Sequence, residues 1–421
     1  MDVSVHRQTV IVLGGGFAGI AVCRRLERNL PTDWSVVLIN ADNAHVLTPL
    51  LPEAVGASML PGHAVVPLRQ MLPRTRIVTG RVAAVDADRR SLVLEDGWQF
   101  IGDHLVLACG LAANRALLPG MAEHTHALKT VGDAVEIRNS AIAQLEAIDR
   151  DAGPVEDDPR ASFVVIGGGF SGVELAGQIN DLVRTASRYY AHVPRNALRV
   201  NVVHDGPRIL PEVPESLAAV AARRMRKAGI AIRTEAQAAE VDAEGIVLEY
   251  GTRIAARTIV ATIGTAAQPL LKDASLPIDG KRITTAPDLS LPERPGVWAV
   301  GDCAAVANSG NGDFLPPTAQ AANQAGRQLA DNILRTIKGE ATRPVAYKSK
   351  GFMATIGDQN AVANVGPLRL AGRPAWLLWR LVYLAQVPTG WRKLRVGFEW
   401  MWSCLFPVDI THLRFRTSDD T

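Results

Sequence analysis

A glycine turn of one pattern occurs twice in this chain, each time between an apolar strand and an apolar helix. It constrains the possible fold more than any other feature. Val10-Ile11-Val12-Leu13 runs into Gly14-Gly15-Gly16-Phe17-Ala18-Gly19, and Ile20 to Leu26 then carries apolar residues at helical period. Phe163 to Ile166 likewise runs into Gly167-Gly168-Gly169-Phe170-Ser171-Gly172, followed by Val173-Glu174-Leu175-Ala176. Strand, glycine turn and helix in that order open a βαβ unit that binds a dinucleotide. Gly14 serves the tight turn, Gly16 lets backbone approach a pyrophosphate, and Gly19 lets the helix pack on the strand with its N-terminus aimed at the phosphates. Ser35 to Ile39 reads as the strand that completes the first unit. It ends at Asn40, where a ribose-binding acid is expected and where an amide makes an uncharged hydrogen bond instead. Two such units imply two dinucleotides.

Two later segments fit the same scheme. His104 to Gly110 reads as an apolar strand whose last residues, Ala108-Cys109-Gly110, are small, as needed where a chain passes close to a bound nucleotide. Gly296 to Asp302 reads as another strand, and its terminal Gly301-Asp302 sets a carboxylate where it can hold a polyol hydroxyl. The 421 residues suggest about three domains of about 150 residues each. Hydrophobic residues at 48% against 21% charged exclude a disordered chain. A net charge of +3 is too small for a protein built to neutralise nucleic-acid phosphates, so no nucleic-acid partner is expected. Cys23, Cys109, Cys303 and Cys404 are scattered without a Cys-x-x-Cys, which leaves disulfide frameworks, metal sites and dithiol centres without support and suits reduced cytosolic thiols. Met1 to Gln8 lacks the pattern of a signal peptide. The most apolar late stretch, Ala375 to Val387, is interrupted by Arg380 and falls short of the about 20 apolar residues that span a bilayer.

These residues together resemble the pyridine-nucleotide-dependent flavoprotein disulfide reductases, and within them the type II NADH dehydrogenases, which are single-chain NADH:quinone oxidoreductases. The resemblance covers nearly the whole chain. It is carried by His45 with Pro49-Leu50-Leu51, Gly169 to Gly177, Gly206 to Pro211, Gly301-Asp302-Cys303-Ala304, Ala319 to Gly326 and Lys350 to Gly357. The glycine loops are shared by the whole superfamily, and the last two segments are more specific.

The resemblance implies an α/β fold with two Rossmann-like dinucleotide-binding domains, for FAD and NADH, and a C-terminal amphipathic helical membrane-anchoring segment. The FAD domain is expected to be discontinuous, at 1–118 and 290–345, with the NADH domain at 119–289 and a membrane-association and quinone-site domain at 346–421. Non-covalent FAD would lie on Gly14, Gly16, Phe17, Ala18 and Gly19, with Asn40 at the adenosine ribose and Asp302 on the ribityl chain. Val82, Cys109, Gly110, Gly301 and Ala319 would stand beside it. NADH would lie on Gly167, Gly169, Phe170, Ser171 and Gly172, with Gly264 close by and His204-Asp205 at its ribose. The family usually has Glu-Ala there. Asp205 suits a free 2′-hydroxyl and a protonated His204 tolerates a 2′-phosphate, so NADH is expected over NADPH without being exclusive.

For the chemistry, the resemblance points to Glu174, Gln320, Gln324 and Lys350. Glu174 would start the helix after the glycine loop, and either caps it or lies beside the nicotinamide and quinone pocket. Gln320 and Gln324 share a helix face that lies against the flavin and quinone headgroup in the family, while Ala325 stands where Gln or Glu is usual. Lys350 matches a lysine near the quinone site, or is a solvated lysine at a strand end. The implied reaction takes hydride from NADH to the flavin and sends two electrons to a membrane quinone without ion pumping. A sulfide:quinone oxidoreductase, or another FAD-dependent NAD(P)H reductase with a protein or small-molecule acceptor, is the alternative, the former needing redox cysteines at the flavin.

The tail carries its own signal. Trp376, Trp379, Trp391, Trp400 and Trp402 fall in the last 50 residues, a skew unlike a core. Leu394, Phe398, Met401 and Leu405 recur at helical spacing beside Arg392, Lys393 and Arg395, the composition of a helix lying in a membrane interface. Peripheral attachment on the cytoplasmic side of the cell membrane is the expectation. The same segment can equally pack on the protein or form a homodimer.

Overall fold

The computed structural model describes residues 8–272, 274–310, 312–357, 359–407 and 409–413. Met1 to Arg7, and with them most of the N-terminal stretch read above, lie outside the described residues. In chain order the elements that carry the site are β1 (Gln8–Leu13), α1 (Phe17–Asn29), β2 (Trp34–Asn40), α2 (Leu51–Val55), β3 (Arg76–Thr79), β4 (His104–Leu107) and α3 (Val131–Asp151). Next come β5 (Ser162–Ile166), α4 (Phe170–Ala186), β6 (Arg199–Val203), β7 (Ile230–Arg233), β8 (Thr258–Ala261), β9 (Val297–Ala299) and α5 (Ala319–Ile337). The last are β10 (Phe352–Thr355), β11 (Ala361–Val365), β12 (Leu368–Gly372), α6 (Arg373–Gln386) and α7 (Gly390–Leu405).

The chain divides into two compact units. One comprises Met1–His45, Val66–Ala113 and Thr265–Ser349. Its main sheet has strand order β9-β4-β1-β2-β3, all parallel. Parallel strands with both faces covered read as continuous apolar runs, and Val10 to Leu13, Val36 to Ile39 and Leu105 to Leu107 are all buried. Helix α1 packs on α5 so closely that a Cβ at Gly326 would meet the Ala18 carbonyl oxygen at 2.6 Å.

The second unit comprises Val46–Val65, Asn114–Gly264 and Lys350–Thr421. It repeats the arrangement with a four-stranded parallel sheet in the order β7-β6-β5-β8. An antiparallel meander, β10-β11-β12, follows, and α6 packs on it through Ala375 against Ala361 and Ala363. Helix α7 then returns beside α6.

The aromatic skew of the tail divides in two. Trp379 and Trp400 are buried and pack on each other at 5.8 Å, so part of the skew does make a core, that of the α6–α7 pair. Trp391 and Trp402 are exposed together with Leu394, Phe398, Met401 and Leu405. No helix among the described residues is long and apolar enough to cross a membrane.

Candidate functional site

In the first unit the turn after β1 is built as the sequence requires. Gly14 sits at φ +109°, and a side chain there would collide with the Ala108 carbonyl oxygen behind it. Gly19 abuts the Gly14 carbonyl, so α1 lies directly on the strand end. Around Gly16, by contrast, a Cβ would meet nothing within 4 Å. Gly16 is the N-cap of α1, and no side chain caps this helix. Its first N–H groups are therefore offered to an outside acceptor, with the helix dipole favouring an anion. On α3, by contrast, Thr130 and Asp133 form a reciprocal capping box that satisfies the helix end from within the chain.

Two side chains stiffen the loop. Asn40 accepts the Gly15 N–H at 2.7 Å and donates to the Asp42 carbonyl at 2.8 Å, so its amide braces the turn it was expected to serve from the ribose side. His45 donates from Nδ1 to the Gly15 carbonyl at 2.9 Å, with the Phe17 ring edge-on at 4.6 Å. Burial pushes the His45 imidazole down to about 4, so it is neutral at physiological pH.

Cys109 and Gly110 follow β4, where Gln268 donates to the Cys109 carbonyl at 3.1 Å and Gly110 turns at φ +65°. The thiols of Cys109 and Cys303, far apart in sequence, face each other here, and the neighbouring sulfur and burial push the Cys109 thiol up. Asp302 lines a small cleft with Arg282, Pro316, Pro317 and Ala322, and among the described residues the buried Arg282 Nε has no partner. Ala319 opens α5 under the Thr318 cap. Along this helix Gln320 accepts the Tyr347 hydroxyl at 3.5 Å, while Gln324 clasps the Lys348 backbone, donating to its carbonyl at 3.0 Å and accepting its N–H at 3.3 Å. Val82 is half-buried at the start of its strand.

The second unit repeats the cradle. Gly167 sits at φ +116° against Thr262, Gly172 abuts the Gly167 carbonyl, Gly169 has open space, and α4 has no side-chain cap. Phe170 stacks on Phe352 at 6.1 Å, Ser171 is exposed, and Gly264 turns at φ +76°. His204 follows β6 with its ring over Gly168 and Gly206, and its Nδ1 lies 3.0 Å from Asp205, which is 71% exposed.

Glu174 does not start its helix. Helix α4 begins at Phe170 because the glycine turn itself supplies the first turn, and no acidic residue lies there. Glu174 is buried and accepts the Thr355 N–H at 3.1 Å. Burial, with a contribution from the Glu53 carboxylate, raises its pKa to about 8. Lys350 is exposed just before β10. Sequence reading missed Glu53, Gln178 and Arg380, which gather beside Glu174, although a lone acid inside the apolar run from Pro49 to Val55 was a visible signal. Among the described residues no cluster of His, Cys, Asp and Glu is suited to a metal ion.

Residues 8–326 match the sequence pattern of the pyridine nucleotide-disulphide oxidoreductase family. The chain is 30% identical over 430 aligned residues to the type II NADH:quinone oxidoreductase Ndh of Mycobacterium tuberculosis, covering 98% of this chain and 89% of that protein. It is 27% identical to the demethylphylloquinone reductase NdbB of Synechocystis, covering 94% and 96%. The structure of NDH2 from Plasmodium falciparum in complex with NADH superposes with a TM-score of 0.85 at 16% identity, covering 96% of this chain and all of that one.

Proposed function

The chain belongs to the pyridine nucleotide-disulphide oxidoreductase family and, within it, to the type II NADH:quinone oxidoreductases, and from that premise we infer that it oxidises NADH and reduces a membrane quinone. The observation that carries this reading is the pair of uncapped, glycine-lined helix N-termini, one in each unit. A chain with two such cradles serves two dinucleotides. The first suits FAD: Gly16 leaves open space at the helix end, and Asp302 stands in a cleft with the unpartnered Arg282 Nε. Bound there, FAD supplies the two-electron redox chemistry that links NADH to the quinone.

The protein's own part is to bind, orient and supply a proton. The N–H groups at the start of α1 and α4 hold the two pyrophosphates, with Phe17 to Gly19 and Phe170 to Gly172 as the contact turns. Asp302 accepts from the ribityl hydroxyls. Asp205, exposed beside His204, accepts from the 2′-hydroxyl of NADH and repels a 2′-phosphate. Reduction of a quinone by NADH consumes one proton from outside the hydride: NADH, H⁺ and quinone give NAD⁺ and quinol. Glu174, protonated at neutral pH, holds that proton on its carboxyl. Gln320 orients the quinone headgroup, and Gln324 fixes the segment after α5.

The exposed apolar face of α7, with Leu394, Phe398, Met401 and Leu405 flanked by Trp391 and Trp402, supports peripheral attachment to a membrane surface, or a homodimer contact. Of the three basic residues read as lipid-facing, Arg392 donates to the Gly62 carbonyl, Lys393 to the Ala385 carbonyl, and Arg395 is exposed. Anaerobic titration of the purified protein tests the reading. NADH should bleach an extractable FAD stoichiometrically, while sulfide should not. Bleaching by sulfide, or no released FAD, would refute it.

A further inference from the structure

Two buried carboxylates occupy neighbouring elements of the second unit, and their surroundings differ. Glu53 on α2 is 1% exposed. It accepts from Gln178 Nε2 at 3.0 Å and from the Ser58 hydroxyl, and the Arg380 guanidinium lies 3.7 Å away. Arg380 is itself fixed. It donates to the Trp400 carbonyl at 2.9 Å and lies between the rings of Trp376 at 4.2 Å and Trp400 at 5.0 Å. Gln178 stands one helical turn beyond Glu174 on α4, so the side chain that donates to Glu53 shares a helix face with Glu174.

Among the described residues no cation forms an ion pair with Glu174. The groups packed toward it are Thr355 from β10, Glu53 from α2, Tyr383 and Trp379 from α6, and Gln178 from α4, with Arg380 beyond Glu53 and Cys404 of α7 against Arg380. Among these the charged group that bears on Glu174 is Glu53, and the Arg380 guanidinium lies 3.7 Å from Glu53. An anion at such range favours the protonated form of a second acid, and a cation favours its ionised form.

We propose that the Glu53–Arg380 ion pair is a positioning device that sets the pH up to which Glu174 keeps its proton, with Glu53 acting to retain it and Arg380 to release it. The inference rests on the reading of Glu174 as the proton source for the quinone. Neither Glu53 nor Arg380 needs to touch a substrate. Both act through Glu174.

The test uses the full-length, flavin-loaded protein and reads the protonated carboxyl band of Glu174 by infrared difference titration, assigned by its loss in Glu174→Gln. Glu53→Gln should lower the titration midpoint by about one unit or more, because the anion goes and Arg380 stays. Arg380→Met should carry the protonated-carboxyl signal to higher pH, and Arg380→Lys should restore the wild-type midpoint. A merely structural role would move Glu53→Gln and Arg380→Met in the same direction, so opposite signs support the proposal. An unmoved midpoint in Glu53→Gln overturns it, and if that variant does not fold, equal midpoints in Arg380→Met and Arg380→Lys overturn it instead. Failure of the underlying reading looks different. The infrared midpoints would shift as expected while the pH limb of quinone reduction stayed where it is in wild type.

Discussion

Replacing Glu174 by Gln should stabilise this protein at alkaline pH and slow its quinone step at the same time. The wild-type acid keeps its proton up to about pH 8 in the folded chain, against a reference value of 4.5. Between those two values the folded state binds a proton that the unfolded state has released, so stability falls as pH rises through that window. Below pH 4.5 both states are protonated and the residue is neutral in this respect. The gap corresponds to roughly 3 to 5 kcal/mol at its full extent above pH 8. Gln has nearly the same volume and can still accept the Thr355 N–H, so the substitution removes the ionisable group while leaving the packing in place. Thermal unfolding of the flavin-loaded protein at pH 5.5 and pH 8.5 reads the effect. The variant should match wild type within about 2 °C at the lower pH and melt roughly 3 to 5 °C higher at the upper one. Stopped-flow reoxidation should be slowed about 10²-fold, the ordinary contribution of a positioned proton donor, and should lose its decline above pH 8. Equal destabilisation at both pH values would refute the reasoning, because it would make Glu174 an ordinary packed side chain.

Three further outcomes follow from the same geometry. Asp302→Ala should lose flavin on gel filtration, and a flavin-to-protein absorbance ratio equal to wild type would show that Asp302, in its cleft with Arg282, does not hold the flavin. Asp205→Asn should narrow the preference for NADH over NADPH by about tenfold in kcat/KM, or about 1.4 kcal/mol, by removing a charge that repels a 2′-phosphate; an unchanged ratio would show that Asp205 does not read the ribose. Leu394→Ser, Phe398→Ser and Leu405→Ser together should release the protein from anionic liposomes in flotation, since each buried apolar side chain contributes about 1.5 to 3 kcal/mol, while NADH still bleaches the flavin. Flotation equal to wild type would assign that face to another contact.

The parts of this structure that were legible in the sequence are those fixed by local sterics. Gly14 and Gly167 must adopt positive φ with backbone or a hydroxyl directly behind them, and Gly19 and Gly172 must admit a carbonyl, so the motif writes the turn directly into the residue types. The parallel strands were legible because burial on both faces demands continuous apolar runs. The start of α4 was misplaced for a related reason, because its first turn is supplied by glycine-loop residues that carry no helical period. What stayed hidden depends on contacts between distant segments. The Thr355 N–H on Glu174, the Arg380 guanidinium beside Glu53 and the meeting of Cys109 with Cys303 each join residues far apart in the chain. Tail tryptophans that look alike in sequence also separate only in three dimensions, with Trp379 and Trp400 inside the helical pair and Trp391 and Trp402 outside it.

Double-mixing stopped-flow spectroscopy on the purified, flavin-loaded protein tests the NADH:quinone activity most directly. NADH is mixed first to bleach the flavin, and a short-chain quinone second. Rapid bleaching by one equivalent of NADH, followed by full recovery of flavin absorbance on addition of one equivalent of quinone, at a rate sufficient to sustain steady-state turnover, is the expected result. Bleaching by NADH followed by recovery much slower than turnover, or only with oxygen or a protein acceptor, would contradict it.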